Sequence, residues 1–297
     1  MIKTMSNIYL NDENKNLLEI AKNNVKPYQE AFPFPSISFD NFFSPEYLDK
    51  ILEEFPDLSS IKNTTKFDNS KEIKLAGKGE KHFGNETKRF MHFLNSEPFL
   101  EFLQVLTGIK EPLIGDPYFL GGGQHEIKKG GLLKIHADFN KHEKLKLDRR
   151  INVLVYLNKN WKEEYGGHFE LWDSKMEKCE KQILPTFNTL AIFSTTDFSY
   201  HGHPNVLDCP ENRSRKSLAL YYYSNGRPEN EIFTGQEEHS TLFKSRVGNK
   251  DDEIAFKPKP KPKPKPKSTV KKIIKSLIKD LTPPIILKTV KTLANKK

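Results

Sequence analysis

No run of about 18 apolar residues occurs anywhere in the 297 residues, so nothing in the sequence is long enough to span a bilayer as a helix. Cysteine is nearly absent. Cys179 and Cys209 are too few for a disulfide framework and lack the spacing of a metal site, which makes a reducing, cytoplasmic setting the expectation. The opening MIKTMSNIYLNDENKN has no apolar stretch behind a basic start, so no secretory signal is expected there. The main body also lacks basic charge. The formal charge is +9, but from Lys257 onward stand fourteen lysines against one aspartate, +13, which leaves −4 for residues 1–256. A nucleic-acid-binding face on that body is not supported. Gly121-Gly122-Gly123 has no Lys-Ser/Thr and no following helix, so it reads as a turn rather than a phosphate loop.

Aromatic bulk is plentiful, with 21 Phe and 10 Tyr to fill a core. Residues 1–30 read as a polar lead-in with a short amphipathic helix over 16–23. A strand is predicted over 36–39. Ser44, as N-cap before Pro45, predicts a helix over 45–55 whose Leu48, Ile51, Leu52 and Phe55 share one face. Residues 57–87 are polar and glycine-punctuated and read as loop, and a second helix is predicted over 97–107. From about residue 117 the texture changes to short strands, at 124–128, 132–137, 151–157, 168–172, 189–193 and 217–223. Strands at this spacing without long crossover helices predict an antiparallel sandwich or barrel flanked by two helices.

His136-Ala137-Asp138 carries the chemistry. Positions i and i+2 of a strand point to one face, so an imidazole and a carboxylate converge. Alone the pair is a weak signal. A further histidine lies 65 residues on, in Ser199-Tyr200-His201-Gly202-His203-Pro204, and either His201 or His203 could complete a metal site. Two histidines and one carboxylate leave three positions open on a non-haem Fe(II), enough for a bidentate 2-oxo acid and O2. Arg215 offers a guanidinium fork that pairs bidentately with a carboxylate, as the far end of such an acid requires. Arg213 competes with it but belongs to the preceding loop. His125, His142 and His168 read as surface or packing residues, and Trp161 and Trp172 as core or rim aromatics.

His136-Ala137-Asp138, His201 and Arg215-Lys216-Ser217-Leu218 resemble the His-x-Asp…His…Arg pattern of the 2-oxoglutarate/Fe(II) oxygenase superfamily. The prolyl 4-hydroxylase-like branch is the nearer match, through Gly130-Gly131-Leu132, Val155-Tyr156-Leu157-Asn158 and Tyr165-Gly166-Gly167-His168-Phe169-Glu170-Leu171-Trp172. The similarity covers roughly residues 33–245, within an expected domain over 31–250 whose catalytic core is 118–227. The resemblance implies a mainly β fold, a double-stranded β-helix (jelly-roll, cupin-like) core with flanking helices. It favours His201 as third ligand beside His136 and Asp138, and implies Arg215 and Tyr156 as the holders of the far 2-oxoglutarate carboxylate. Fe(II), 2-oxoglutarate and O2 are the implied cofactors, with ascorbate as reductant. The implied reaction hydroxylates an unactivated C–H bond, with succinate and CO2 as co-products. A peptidyl proline is the first candidate substrate and a small molecule (a free amino acid or sugar-linked metabolite) the second. A cupin-like metal-binding domain without 2-oxoglutarate and a non-catalytic scaffold are the rivals from other classes.

Residues 257–267 alternate Lys and Pro, an extended spacer of eleven residues that would reach roughly 34 Å at about 3.1 Å each. Beyond it, within the basic tail 268–297, Val270, Ile273, Ile274, Leu277, Ile278 and Leu281 fall at helical spacing opposite Lys271, Lys272, Lys275 and Lys279. This pattern predicts a basic amphipathic helix for an anionic membrane surface, making the protein peripheral there, or for a partner groove; a solvated basic tail is the alternative. Membrane docking predicts that the full chain co-sediments with anionic liposomes while a version ending at Phe256 stays in solution. Equal partitioning of the two would end the membrane reading.

Overall fold

The computed structural model describes residues 8–232 and 237–257. Eight strands form the core: β4 (Gly123–Lys128), β5 (Leu132–Ala137), β6 (Asp148–Tyr156), β7 (Phe169–Trp172), β8 (Cys179–Ile183), β9 (Thr189–Ser194), β10 (His201–His203) and β11 (Ser214–Ser224). They alternate between two antiparallel sheets, β9-β6-β11-β4 and β5-β10-β7-β8, the double-stranded β-helix. Strand β1 (Ser36–Asp40) extends the first sheet beside β9. Strand β3 (Glu72–Ala76) bridges β4 and β5, so the two sheets curl into a nearly closed barrel.

Period-2 alternation decides what each face of the first sheet does. Ile151, Val153 and Val155 of β6, with Leu218, Leu220 and Tyr222 of β11, join the main apolar core. That core is roofed by α1 (Leu17–Gln29), α2 (Pro45–Glu53), α3 (Asn85–Leu94) and α4 (Glu97–Thr107). The intervening residues, among them Asn152, Tyr156, Arg215 and Ser217, turn to the inside of the barrel, where polar groups are held.

Three sequence expectations need correction. The polar lead-in is part of the fold: α1 runs past residue 23 to Gln29 and packs on α4, Gln29 donating to the Thr107 carbonyl at 3.0 Å. The Tyr28 hydroxyl is buried against Ser194 Oγ at 2.9 Å, and Leu10 bridges Phe43. Residues 57–87 are not loop throughout. Strand β2 (Thr65–Asp68) forms a hairpin with β3, turned by Asn69, whose side chain accepts from the Lys71 and Glu72 amides. The start of α3 is capped by the distant Glu54 carboxylate, which accepts from the Glu86 and Thr87 amides, so no local N-cap residue announces the helix. At the other end the domain runs past residue 250 through α5 (Lys250–Ala255). The chain divides into two units at Phe256/Lys257. The second, with the spacer 257–267 and the tail 268–297, lies outside the described residues except for Lys257. Among the described residues no helix is long and apolar enough to cross a membrane.

The last described segment fastens β5 from outside. Strand β12 (Leu242–Phe243) pairs with Ala137 and His136. The fully buried Asp252 then receives Lys134 Nζ at 2.8 Å and Arg246 at 2.8 and 2.9 Å. Burial alone would raise the Asp252 pKa, but the bonds from Arg246 and Lys134 outweigh it and hold the carboxyl at about 2. A depressed carboxylate stabilises the fold above its ordinary pKa, here 3.8, and loses that contribution as pH falls towards about 2. Asp252→Asn should therefore cost about 3–5 kcal/mol at neutral pH, because it leaves two buried cations uncompensated. Denaturant unfolding of the two proteins at pH 7 and near pH 2.5 checks this, the gap shrinking at the lower pH.

Candidate active site

The ladder between β5 and β10 pairs His136 directly with His201, with ring centroids 4.5 Å apart. Asp138 stands just beyond the end of β5, with Oδ1 at 3.6 Å from His136 Nε2 and Oδ2 at 3.5 Å from His201 Nε2. One ligand atom from each of the three lies within 4.8 Å of the others, and all three residues are nearly buried. The approach depends on Gly202, where a Cβ would meet the Leu133 carbonyl oxygen at 2.7 Å. Histidine 203 is not part of this cluster.

Each imidazole is oriented by its other nitrogen. His136 Nδ1–H donates to the Lys134 carbonyl at 2.9 Å, and His201 Nδ1–H to the Ser199 carbonyl at 2.8 Å. Since a carbonyl only accepts, both Nε2 atoms carry the lone pair, as a metal ligand requires. Burial pushes the His201 pKa down to about 3 against the pull of Asp138, so the ring is neutral at ordinary pH. For Asp138, burial alone would raise the pKa. The Arg149 charge, helped by His201 and His136, holds it well below the usual carboxylate range. Two neutral imidazoles and an ionised carboxylate are a donor set that fits a divalent first-row metal.

Arg149 was not singled out from the sequence. Its Nη2 donates to Asp138 Oδ2 at 2.8 Å and Asn152 Nδ2 donates to the same oxygen at 3.1 Å, which leaves Oδ1 for a metal. The fully buried guanidinium lies over the Tyr221 ring at 3.5 Å and near Phe139 at 4.4 Å. The available signal was the doublet Arg149-Arg150 at the head of a strand that is otherwise apolar. His125 also escaped notice. It was read as a packing residue, yet it lines the site, as do Lys74 and Tyr221.

Arg215 sits on the inner face of β11, 6% exposed. Its Nε donates to the Gly167 carbonyl at 2.8 Å and its Nη2 to the Tyr156 hydroxyl oxygen at 3.2 Å. Gly167, at φ +74°, makes room for this: a Cβ there would meet Leu207 at 2.5 Å and Arg215 Cδ at 3.0 Å. Burial raises the Tyr156 pKa despite Arg215, so the phenol keeps its proton and has it free to donate. Among the described residues no carboxylate lies within 4.0 Å of Arg215. An enclosed guanidinium without a counter-ion fits an anionic ligand. His136, Asp138, His201 and Arg215 line one inner cavity of about 70 Å³, which shares Lys74, Leu133 and Tyr221 with an outer cavity of about 380 Å³. Arg213 lies outside the barrel, donating to the Lys159 and Asn160 carbonyls.

The fold and this cluster define a double-stranded β-helix with a two-histidine, one-carboxylate centre inside it. Residues 123–223, which hold all of these side chains, match the family model of the 2OG-Fe(II) oxygenase superfamily and form a prolyl-hydroxylase-like oxygenase core. Over 79 residues the chain is 33% identical to the prolyl 3-hydroxylase OGFOD1 of Mus musculus, a stretch that is 25% of this chain and 14% of that protein. The chain thus spans about one-seventh of that relative's length. A Trichoplax adhaerens prolyl hydroxylase, solved with a hypoxia inducible factor oxygen degradation domain peptide fragment, shares the fold at TM-score 0.53 and 17% identity, covering 75% of this chain and 96% of that one.

Arg149→Met should weaken Mn(II) binding to the metal-free protein about ten- to a hundredfold, the usual effect of losing a group that holds a ligating carboxylate. Calorimetric titration measures it, with circular dichroism as the check on folding. An unchanged affinity would show that Asp138 needs no partner to present its oxygen.

Proposed function

We propose that this chain is an Fe(II)- and 2-oxoglutarate-dependent dioxygenase that hydroxylates an unactivated C–H bond, with a peptidyl proline as the preferred substrate. The observation that carries the reading is the joint one: three convergent metal-type donors and a buried arginine without a carboxylate, all on the wall of one cavity. His136, Asp138 and His201 would hold the iron, and Arg215 with Tyr156 would hold the far carboxylate of 2-oxoglutarate. When bound, iron with 2-oxoglutarate and O2 supplies the oxidation, placing one oxygen atom in the substrate and one in succinate as CO2 leaves.

The residues of the chain do the rest. Both imidazoles are kept neutral and aimed by carbonyls, so they compete poorly for protons and are ready to ligate. Arg149 and Asn152 occupy one oxygen of Asp138, which favours a single bond from this carboxylate and leaves positions for a chelating co-substrate. The barrel wall excludes water from the inner cavity, which strengthens the pairing of Arg215 with an anion. The outer cavity, flanked by Phe67, Tyr118, Phe139 and Tyr221, offers ring faces to a proline or another compact apolar group. Ascorbate would serve only to restore ferrous iron. The small-molecule reading uses the same machinery and differs only in what enters that outer cavity.

Anaerobic addition of Fe(II) and 2-oxoglutarate to the metal-free protein should produce the weak visible charge-transfer band of the chelate. Asp138→Ala should lose the band together with the metal, and Arg215→Ala should need at least tenfold more 2-oxoglutarate to reach it. Metal binding without a band would favour the cupin-like alternative. With the band in hand, mass analysis of proline-containing peptides for a gain of one oxygen separates the peptide reading from the small-molecule one.

A further inference from the structure

His203 is the one buried histidine among the described residues whose ring nitrogens both lack a partner. The others are accounted for. His136 and His201 bond carbonyls, His142 lies between Asp116 and the Lys144 and Leu145 amides, and His239 lies between Asp197 and the Ser240 carbonyl. A buried imidazole with nothing to bond is costly, so its place in the fold needs a reason. It is 3% exposed and ends β10, two residues after His201 and opposite Leu133. There it lines the same inner cavity as Arg215 and Ser217. Metal ligation is not that reason, because the three convergent donors do not include it. After burial itself, Arg215 is the group that bears most strongly on its charge state, which places two donor-bearing side chains around one space with no acceptor assigned to either.

We propose that His203 is a specificity-determining residue for the co-substrate, donating an N–H to the far carboxylate of a 2-oxo dicarboxylic acid alongside Arg215 and Tyr156. The inference rests on the dioxygenase reading above and adds a third recognition group to it. A neutral imidazole suits the task. One nitrogen donates to the carboxylate, and the short reach keeps the ring clear of the metal donors. An aliphatic residue at this position would fill the space equally well but would recognise no charge. The demand for a carboxylate at the far end of the acid is therefore divided among three side chains, and His203 is the one whose loss leaves the guanidinium in place.

The test is calorimetric binding to the Mn(II)-loaded protein without O2. It compares 2-oxoglutarate with 2-oxopentanoate, which has a methyl group in place of the far carboxylate. The wild type should prefer 2-oxoglutarate by at least tenfold. His203→Leu should lose about tenfold in affinity for 2-oxoglutarate while binding 2-oxopentanoate as before, and His203→Gln, which retains an N–H donor, should recover part of the loss. Equal loss for both acids would mark His203 as a packing residue and overturn the proposal, as would a leucine variant that binds both like the wild type. A wild type with no preference between the acids would overturn the dioxygenase reading itself, which the leucine results alone cannot do.

Discussion

Everything at the centre of this molecule depends on how closely β10 can approach β5. The ladder puts His136 and His201 in register, and Gly202 between the two histidines of β10 has no side chain to hold the strands apart. A methyl group there would press on the Leu133 and Lys134 carbonyls at 2.7 and 3.0 Å. The Lys134 carbonyl is also the acceptor that aims His136. One absent Cβ therefore fixes both the distance between the imidazoles and the tautomer of one of them. On its other side β5 is held by β12 and by the Lys134–Asp252–Arg246 cluster, so the strand that carries the first donor is secured along both edges.

Buried charge is arranged by the same logic of pairing throughout the barrel, with one exception. Arg150 meets Glu111 and Glu231, Lys134 meets Asp252, and Arg149 meets Asp138. Each cation is thereby given a carboxylate inside a low-dielectric interior, where an unpaired one would be strongly destabilising. Arg215 breaks the pattern, satisfied only by a carbonyl and a phenol. A protein that pairs its other buried arginines so consistently and leaves this one, at the back of a cavity, has kept it for a ligand's charge.

The sequence was legible where local signals and tertiary structure agree. Period-2 alternation located β4, β5, β6, β7, β9 and β11, and the Ser44-Pro45 start located α2, whose N-cap bond from Ser44 Oγ to the Tyr47 amide is formed at 3.2 Å. Three strands escaped, for separate reasons. β8 is an edge strand whose Glu, Lys and Gln carry no apolar rhythm, β10 is only His-Gly-His, and β12 is two residues long. Helix α3 was hidden because its cap is Glu54, some thirty residues away. The three proposed ligands were visible because His-x-Asp is a local pattern with a strand's geometry behind it. Arg149 and His125 were not, since their place beside the site follows from strand pairing across the barrel, and no spacing in the chain encodes that.

Charge balance adds a reason why the proposed co-substrate should be a dicarboxylate. Before any ligand arrives, Asp138 and Arg149 cancel, both ligating-type imidazoles are neutral, and Arg215 is the remaining charge among these groups. A divalent ion adds +2 to the enclosed cavity, and a 2-oxo dicarboxylate brings −2. The two together change the charge of the site by nothing, the near carboxylate meeting the ion and the far one meeting Arg215. A monocarboxylate would leave the cavity one charge more positive, with the guanidinium still unpaired, which an interior of low dielectric resists. The same balance explains why the inner cavity says little about the hydroxylated substrate. Its charges are all spoken for by metal and co-substrate, so the substrate is recognised in the outer cavity, by ring faces and shape, on walls that include the β2–β3 hairpin rather than the barrel strands alone.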